Sequence, residues 1–136
     1  MKTLIIYYSY TGHSKIIAEG LAAAESADIA EIKDVKRPGK LKAYLLGCPG
    51  AIRGKSWPME ALDKDMSSYD RLILLAPVWA GNPAPVVNSV LSQIPADKTV
   101  EIKMISGSGK SDCKERIEKI IENNGSKLTD FEDIKA

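Results

Sequence analysis

A chain of 136 residues with 19 basic and 18 acidic side chains and a formal charge of +1 makes one ordinary domain, residues 1–136. The charge balance excludes a general nucleic-acid binder, which needs a surplus of Lys and Arg on one surface, and an acidic disordered chain. A 44% hydrophobic content suits a buried core, no apolar run is long enough to span a bilayer, and two cysteines are too few for a disulfide scaffold, so a reduced, cytoplasmic protein is expected.

The opening MKTLIIYYSY reads as a core strand and not a signal peptide. Tyr and Ser follow its apolar run at once, and no small-residue cleavage site closes it. Thr3 to Tyr8 is a continuous β-rich run, the pattern of a strand buried on both faces. After the turn SYTGHS, Lys15 to Glu25 is predicted as a helix. Ser14 is its expected N-cap, and Ile17, Leu21 and Ala24 share one face. Ala27 to Val35 is a weaker strand, and Lys40 to Lys55 a broken helix interrupted at Pro49-Gly50. Leu72 to Pro77 is the strongest strand. The loop VWAGNP leads to a helix from Ala84 to Ile94, with Val86, Val87, Val90, Leu91 and Ile94 at helical spacing, Pro83 at its start and Pro95 at its end. Thr99 to Ser106 is the fourth main strand. Ser111 to Asn124 is a helix with Cys113, Ile117, Ile120 and Ile121 inward and Gly125 at C′, and Lys127 to Ile134 is a fifth strand.

Strands alternating with helices imply right-handed βαβ crossovers, a parallel sheet, and a ligand beyond the carboxyl ends of the strands. Three loops therefore carry the candidate chemistry. Ser9 to Ser14 offers hydroxyls, a glycine and the backbone N–H groups of a helix start, a combination that binds a phosphate dianion; it also suits a plain helix-capping turn. Val78 to Asn82 carries Trp79, which either stacks on a flat ring or forms a partly buried rim, and Gly81, which permits a positive φ. Ser106 to Lys110 runs into GSGKS, which looks like the end of a Walker A motif. The glycine required five residues before Gly109 is Met104, so a triphosphatase is disfavoured and a flexible loop wrapping a ring edge fits better.

SxTGxS after the first strand, PVWxG after the third and a Ser/Gly loop after the fourth together resemble the flavodoxin family, which binds FMN. The resemblance runs in order from Met1 to Gly125. It implies a three-layer flavodoxin-like α/β fold with strand order 2-1-3-4-5. It also implies a cofactor-binding set of Ser9, Tyr10, Thr11, Gly12, His13 and Ser14, then Pro77, Val78, Trp79, Ala80, Gly81 and Asn82, then Ser106, Gly107, Ser108 and Gly109. In that family picture the first group holds the ribityl phosphate. Trp79 lies against the isoalloxazine ring, Ala80 and Gly81 sit near its N5, and the last group borders its pyrimidine edge. Apolar walls disfavour the anionic reduced flavin, and a peptide that accepts a hydrogen bond from N5 favours the neutral one-electron form, as a carrier requires; no catalytic acid or base is needed.

Three departures modify this picture. Flavodoxins tend to be acidic, whereas Lys33 to Lys55 holds Lys33, Lys36, Arg37, Lys40, Lys42, Arg53 and Lys55 against Asp34 alone. That segment is either a solvated face or a docking site for an acidic partner or the phosphates of NAD(P)H. Ala80 stands where many family members have glycine, and Gly81-Asn82 resembles the pair in flavodoxin-like quinone reductases. At this length the last helix of the family is expected to be missing. Glu101 and Lys103 alternate with Val100, Ile102 and Met104, so their side of the sheet is expected at solvent or at a homodimer interface.

Elsewhere, His13 is either a phosphate ligand or an exposed turn residue, and Tyr10 touches the ligand or caps the sheet end. Cys48 and Cys113 suit small apolar packing, with Cys48 the more reactive, and Trp57 either anchors the excursion before the third strand, the favoured reading, or forms a second wall over the flavin. No Cys/His spacing suggests a metal. The leading functional expectation is an FMN-binding electron-transfer protein serving a redox partner protein or a small-molecule acceptor. An FMN-dependent NAD(P)H:quinone-type reductase and a flavin-free interaction module are the alternatives.

Overall fold

The structure is a computed structural model, and it describes residues 2–10, 12–34, 59–79 and 81–136. The expected broken helix, most of the basic segment, Cys48 and Trp57 lie outside these residues, as do Thr11 and Ala80. In chain order the elements are β1 (Thr3–Tyr7), α1 (His13–Glu25), β2 (Asp28–Glu31), a 3-10 turn (Met66–Ser68), β3 (Arg71–Trp79), β4 (Asn82–Pro83), α2 (Pro85–Leu91), β5 (Thr99–Ser106), α3 (Lys114–Asn123) and β6 (Lys127–Lys135).

The sheet order is β2-β1-β3-β5-β6, with β4 paired to β3 alone. Leaving aside the two-residue β4, the five remaining strands have the expected 2-1-3-4-5 order, and every pair along the path is parallel. Each crossover therefore needs a long connection, and the helices fall on both faces. On one face α2 and α3 bury Val86, Val87, Val90, Leu91, Ile117 and Ile121 against Leu4, Ile6, Leu72, Leu74, Ile102 and Met104. On the other, α1 covers Ile5, Tyr7, Ile73, Leu75 and Ile105 through Ile17, Ala18 and Leu21. Burying each such aliphatic side chain contributes about 1.5–3 kcal/mol, so each helix is held chiefly by its sheet-facing side.

Several boundaries differ from those expected, each for a local reason. Gly12, not Ser14, is the N-cap of α1, at φ 101 and ψ −14, and its N–H donates to Ser9 Oγ at 2.9 Å. Ser14 lies inside the first turn and is buried. Strand β2 stops at Glu31 because β1, its pairing partner, ends at Tyr7; Asp34 then bridges antiparallel to Met59. Pro85, not Pro83, occupies the first turn of α2, while Pro83 lies in β4 opposite Val78. The helix ends at Leu91 because the next bonds tighten to three-residue spacing, from Gln93 N–H to Val90 C=O and from Ile94 N–H to Leu91 C=O. Ile94 is buried nonetheless. Helix α3 starts at Lys114 and not at Ser111, since Ser111 Oγ donates to Asp133 Oδ1 and Asp112 N–H donates to Gly81 C=O, which holds these residues out of the helix. Gly125 follows its end at φ 86, with its N–H on Glu122 C=O.

Strand β6 has an apolar spacing that does not alternate. A register shift between Val100 and Glu101 leaves Thr129 bulged, its Oγ1 donating to Val100 C=O. The bulge puts Leu128 and Phe131 on the α2/α3 face, and Ile134 reaches the α1 face.

The alternation expected of β5 is present. Val100, Ile102 and Met104 are buried, while Glu101 and Lys103 are partly exposed. Among the described residues no helix packs over these two charges, and α1 covers β1, β2 and β3 instead. The charges pair across strands. Arg71 donates through Nε to Glu101 and through Nη1 to Glu25 at 2.9 Å, and Lys103 Nζ lies 3.8 Å from Glu132. The Glu101 and Glu25 carboxylates hold the Arg71 guanidinium still further above its ordinary value. Among the described residues no helix is long and apolar enough to cross a membrane.

Candidate functional site

The carboxyl ends of β1, β3 and β5 open onto a cleft of about 320 Å³. Tyr10, His13 and Ser14 line it from the first loop and the start of α1. Pro77, Val78 and Trp79 line it from the end of β3, and Ile105, Ser106 and Gly107 from the end of β5. Ala136 completes the wall. Three loops spread along the sequence from Tyr10 to Gly107 thus meet at one place, because parallel strands deliver successive loops to the same edge.

Each wall has its own chemistry. Helix α1 is thirteen residues long and points its N-terminus at the cleft. Its first-turn N–H groups lack intrahelical acceptors and carry the positive end of the helix dipole. At Gly12 a Cβ would meet nothing within 4 Å, so the glycine answers to its positive φ and not to crowding. Buried Ser14 and exposed His13 add a hydroxyl and an imidazole at the same end. In the same cleft, Trp79 and Tyr10 meet edge to face, with ring centroids 5.5 Å apart and planes at 90°. Among the described residues these are the Tyr and Trp side chains that line the cleft.

The second loop is tighter than its sequence suggests. Strand β3 runs on through Trp79 and turns straight back, so that Trp79 pairs with Asn82 and Val78 with Pro83. Gly81 sits in this turn at φ 84, and its carbonyl accepts from Asp112 N–H at 2.6 Å. Asn82 Oδ1 faces Arg116 of α3. The third loop is closed by its own hydroxyls: Ser106 Oγ accepts from Gly109 N–H at 2.9 Å, and Ser108 Oγ accepts from Lys110 N–H at 3.3 Å.

Of the residues expected at the site, Tyr10, His13, Ser14, Pro77, Val78, Trp79, Ser106 and Gly107 line the cleft. Ser9, Gly12, Gly81, Ser108 and Gly109 shape its loops through the hydrogen bonds and backbone angles just given, and Asn82 lies in the returning strand of the hairpin. Ile105 and Ala136 are additional lining residues. The signal for Ile105 was present in β5: it is the one apolar residue on the side that carries Glu101 and Lys103. Nothing in the sequence placed Ala136, which arrives because its N–H donates to Ser106 C=O at 2.9 Å. Cys113 is a buried free thiol at the start of α3, and burial pushes its pKa up, away from thiolate chemistry. Among the described residues no group of three His, Cys, Asp or Glu side chains is placed to hold a metal ion.

This fold, with its cleft at the sheet's carboxyl edge, matches known structures. A flavoprotein from Lactobacillus acidophilus, solved in complex with FMN, is 25% identical, with a TM-score of 0.77 over 96% of this chain and 91% of that one. The fold is flavodoxin-like. Flavodoxin 1 from Bacillus cereus superposes with a TM-score of 0.56 at 15% identity, over 100% of this chain and 84% of that one. The Megasphaera elsdenii flavodoxin in its two-electron reduced form does so with a TM-score of 0.60 at 16% identity, over 98% and 88%. No family model and no curated protein matches the chain. The resemblance is therefore carried by the flavodoxin-like architecture more than by residue identity.

Proposed function

We propose that this flavodoxin-like protein binds one FMN in the cleft and serves as an electron carrier. One observation carries the reading: a dipole-bearing helix N-terminus with hydroxyls and an aromatic pair with flanking backbone line one and the same cleft. The first suits a phosphate dianion without Lys or Arg in the loop, and the second suits a flat heteroaromatic ring. The donor set thus fits the two ends of a flavin mononucleotide. The flavodoxin-like fold and the FMN bound to the Lactobacillus acidophilus flavoprotein support the same assignment.

When bound, FMN would supply the redox chemistry; the protein supplies position and surroundings. In this reading the first-turn amides of α1 with Ser14, His13 and Thr11 hold the phosphate, and Ser9 shapes that loop through Gly12. Trp79 and Tyr10 form the aromatic wall of the ring. When FMN is bound, Ala80 and Gly81 would be the loop residues beside the ring, and Ser106 and Gly107 would border its polar edge. No described side chain in the cleft is set up as a general acid–base pair, which suits transfer of electrons to a redox partner protein or a small acceptor.

Adding FMN to the purified protein should give a flavin absorbance spectrum that stays with the protein through gel filtration. Ser14→Leu should weaken FMN by tenfold or more, about 1.4 kcal/mol or more, while leaving riboflavin, which lacks the phosphate, within about threefold (about 0.65 kcal/mol). Equal loss of both ligands would place the phosphate elsewhere, and a colourless protein after FMN addition would overturn the assignment.

A further inference from the structure

The hairpin that carries Trp79 is held from behind by α3 and the residues just before it. Asp112 N–H donates to the Gly81 carbonyl at 2.6 Å, and Asp112 Oδ2 sits 3.0 Å from where a Gly81 Cβ would be. One helical turn further on, Arg116 spreads its guanidinium under the same turn. Nη2 faces Asn82 Oδ1 at 3.4 Å and Nη1 faces Asn88 Oδ1 at 3.2 Å, Asn88 itself being buried. Arg116 has donors only, so Asn82 must present its carbonyl oxygen to α3 and turn its amide nitrogen away. Arg116 Nε is buried with no hydrogen-bond partner among the described residues. A buried donor left unmet costs free energy, so this placement is poor for stability alone and calls for another role.

We propose that Arg116 is a positioning residue for the flavin ring: through Asn82, and beside the Asp112–Gly81 bond, it fixes the hairpin that presents Trp79 and Gly81 to the cofactor. This rests on the FMN reading above. The phosphate end of the cleft is built by α1 and has no part in the clamp. Losing Arg116 should therefore act on ring binding and not on phosphate binding.

The test compares Arg116→Met, similar in length but without donors, with Arg116→Lys and Asn82→Ala. Each is titrated with FMN and with riboflavin, and the midpoint potential of bound FMN is measured by dye equilibration. Arg116→Met should weaken FMN and riboflavin by one common factor, about threefold to thirtyfold for two lost hydrogen bonds, and shift the potential. Asn82→Ala should reproduce most of this loss, with little added in the double variant, because the two residues act as one unit. Arg116→Lys should restore only part of it, since an ammonium cannot span both asparagines.

Affinities within twofold of wild type together with an unchanged potential would overturn the proposal and leave Arg116 a structural residue. So would a loss confined to FMN. If the wild-type protein binds neither flavin, the FMN reading fails by itself, and the clamp is then judged by amide NMR. Shifts of the Gly81, Asn82 and Trp79 resonances in Arg116→Met would support it, and an unchanged hairpin spectrum would sink it.

Discussion

Two glycines of the first loop and helix make a matched pair. Among the described residues beyond their immediate chain neighbours and the helix's own backbone, nothing lies within 4 Å of where a Cβ would be at Gly12 or Gly20, so alanine meets no clash from them at either position. Only Gly12 has a positive φ, 101. Gly20 lies in the middle of α1 on its exposed side. Gly20→Ala should therefore stabilise the protein by about 0.5–1 kcal/mol, the ordinary gain of replacing glycine in a helix interior. Gly12→Ala forces a Cβ into the left-handed region and should destabilise by about 1–2 kcal/mol. For a chain of this size each kcal/mol moves Tm by roughly 4 °C, so the two variants should lie on opposite sides of wild type, separated by roughly 6–12 °C. Thermal unfolding of the flavin-free protein followed by circular dichroism reads this without any ligand. FMN titration adds a second reading, because relaxing Gly12 re-aims the first-turn amides, and FMN should weaken more than riboflavin. If both alanines stabilise the fold, the left-handed N-cap is not required and the argument for the loop fails.

Ile102→Ala, at the centre of the α2/α3 face, should cost about 2–5 kcal/mol in urea unfolding; a cost below 1 kcal/mol would mean that the two faces are not both packed. Arg71→Met should destabilise by about 1–2 kcal/mol, since it strands Glu101 on a partly covered sheet face; no change would mean that the charge ladder is solvated. Tyr69 donates to Asp28 Oδ2 at 2.7 Å, and that bond, with burial, pushes its pKa from 10.0 up to about 12. The folded state thus holds its phenolic proton more tightly than the unfolded chain. The stability this provides is complete below pH 10 and is lost as pH rises from 10 to about 12. Tyr69→Phe should flatten that alkaline slope in stability measured across pH 9–12; an unchanged slope would remove Tyr69 as its source.

Much of the fold was legible because its signals are local. The run Leu72 to Pro77 is apolar throughout and can only be a strand covered on both sides, and β5 shows its two faces by alternation. The order of motifs placed the cleft, since a parallel sheet brings the loops after its strands to one edge. The misplaced boundaries have a common cause. Ser14, Pro83 and Ser111 each look like a helix start by residue type, yet hydrogen bonding and pairing decided the matter: locally for Gly12 on Ser9 and for Val78 against Pro83, and across the fold for Asp133 and Gly81 on residues 111 and 112.

The sequence by itself determined the alternating α/β architecture, the apolar positions of both cores and the three loops that face the cleft, because periodicity and residue type act over a few residues. Tertiary structure decided which residues shape a loop and which line the cleft, how the β6 bulge carries Ile134 to the opposite face, and how Ala136 reaches Ser106. It also brought Arg116 of α3 beneath the Trp79 hairpin. These outcomes depend on pairing register and on hydrogen bonds between residues far apart in the chain, for which no local pattern exists.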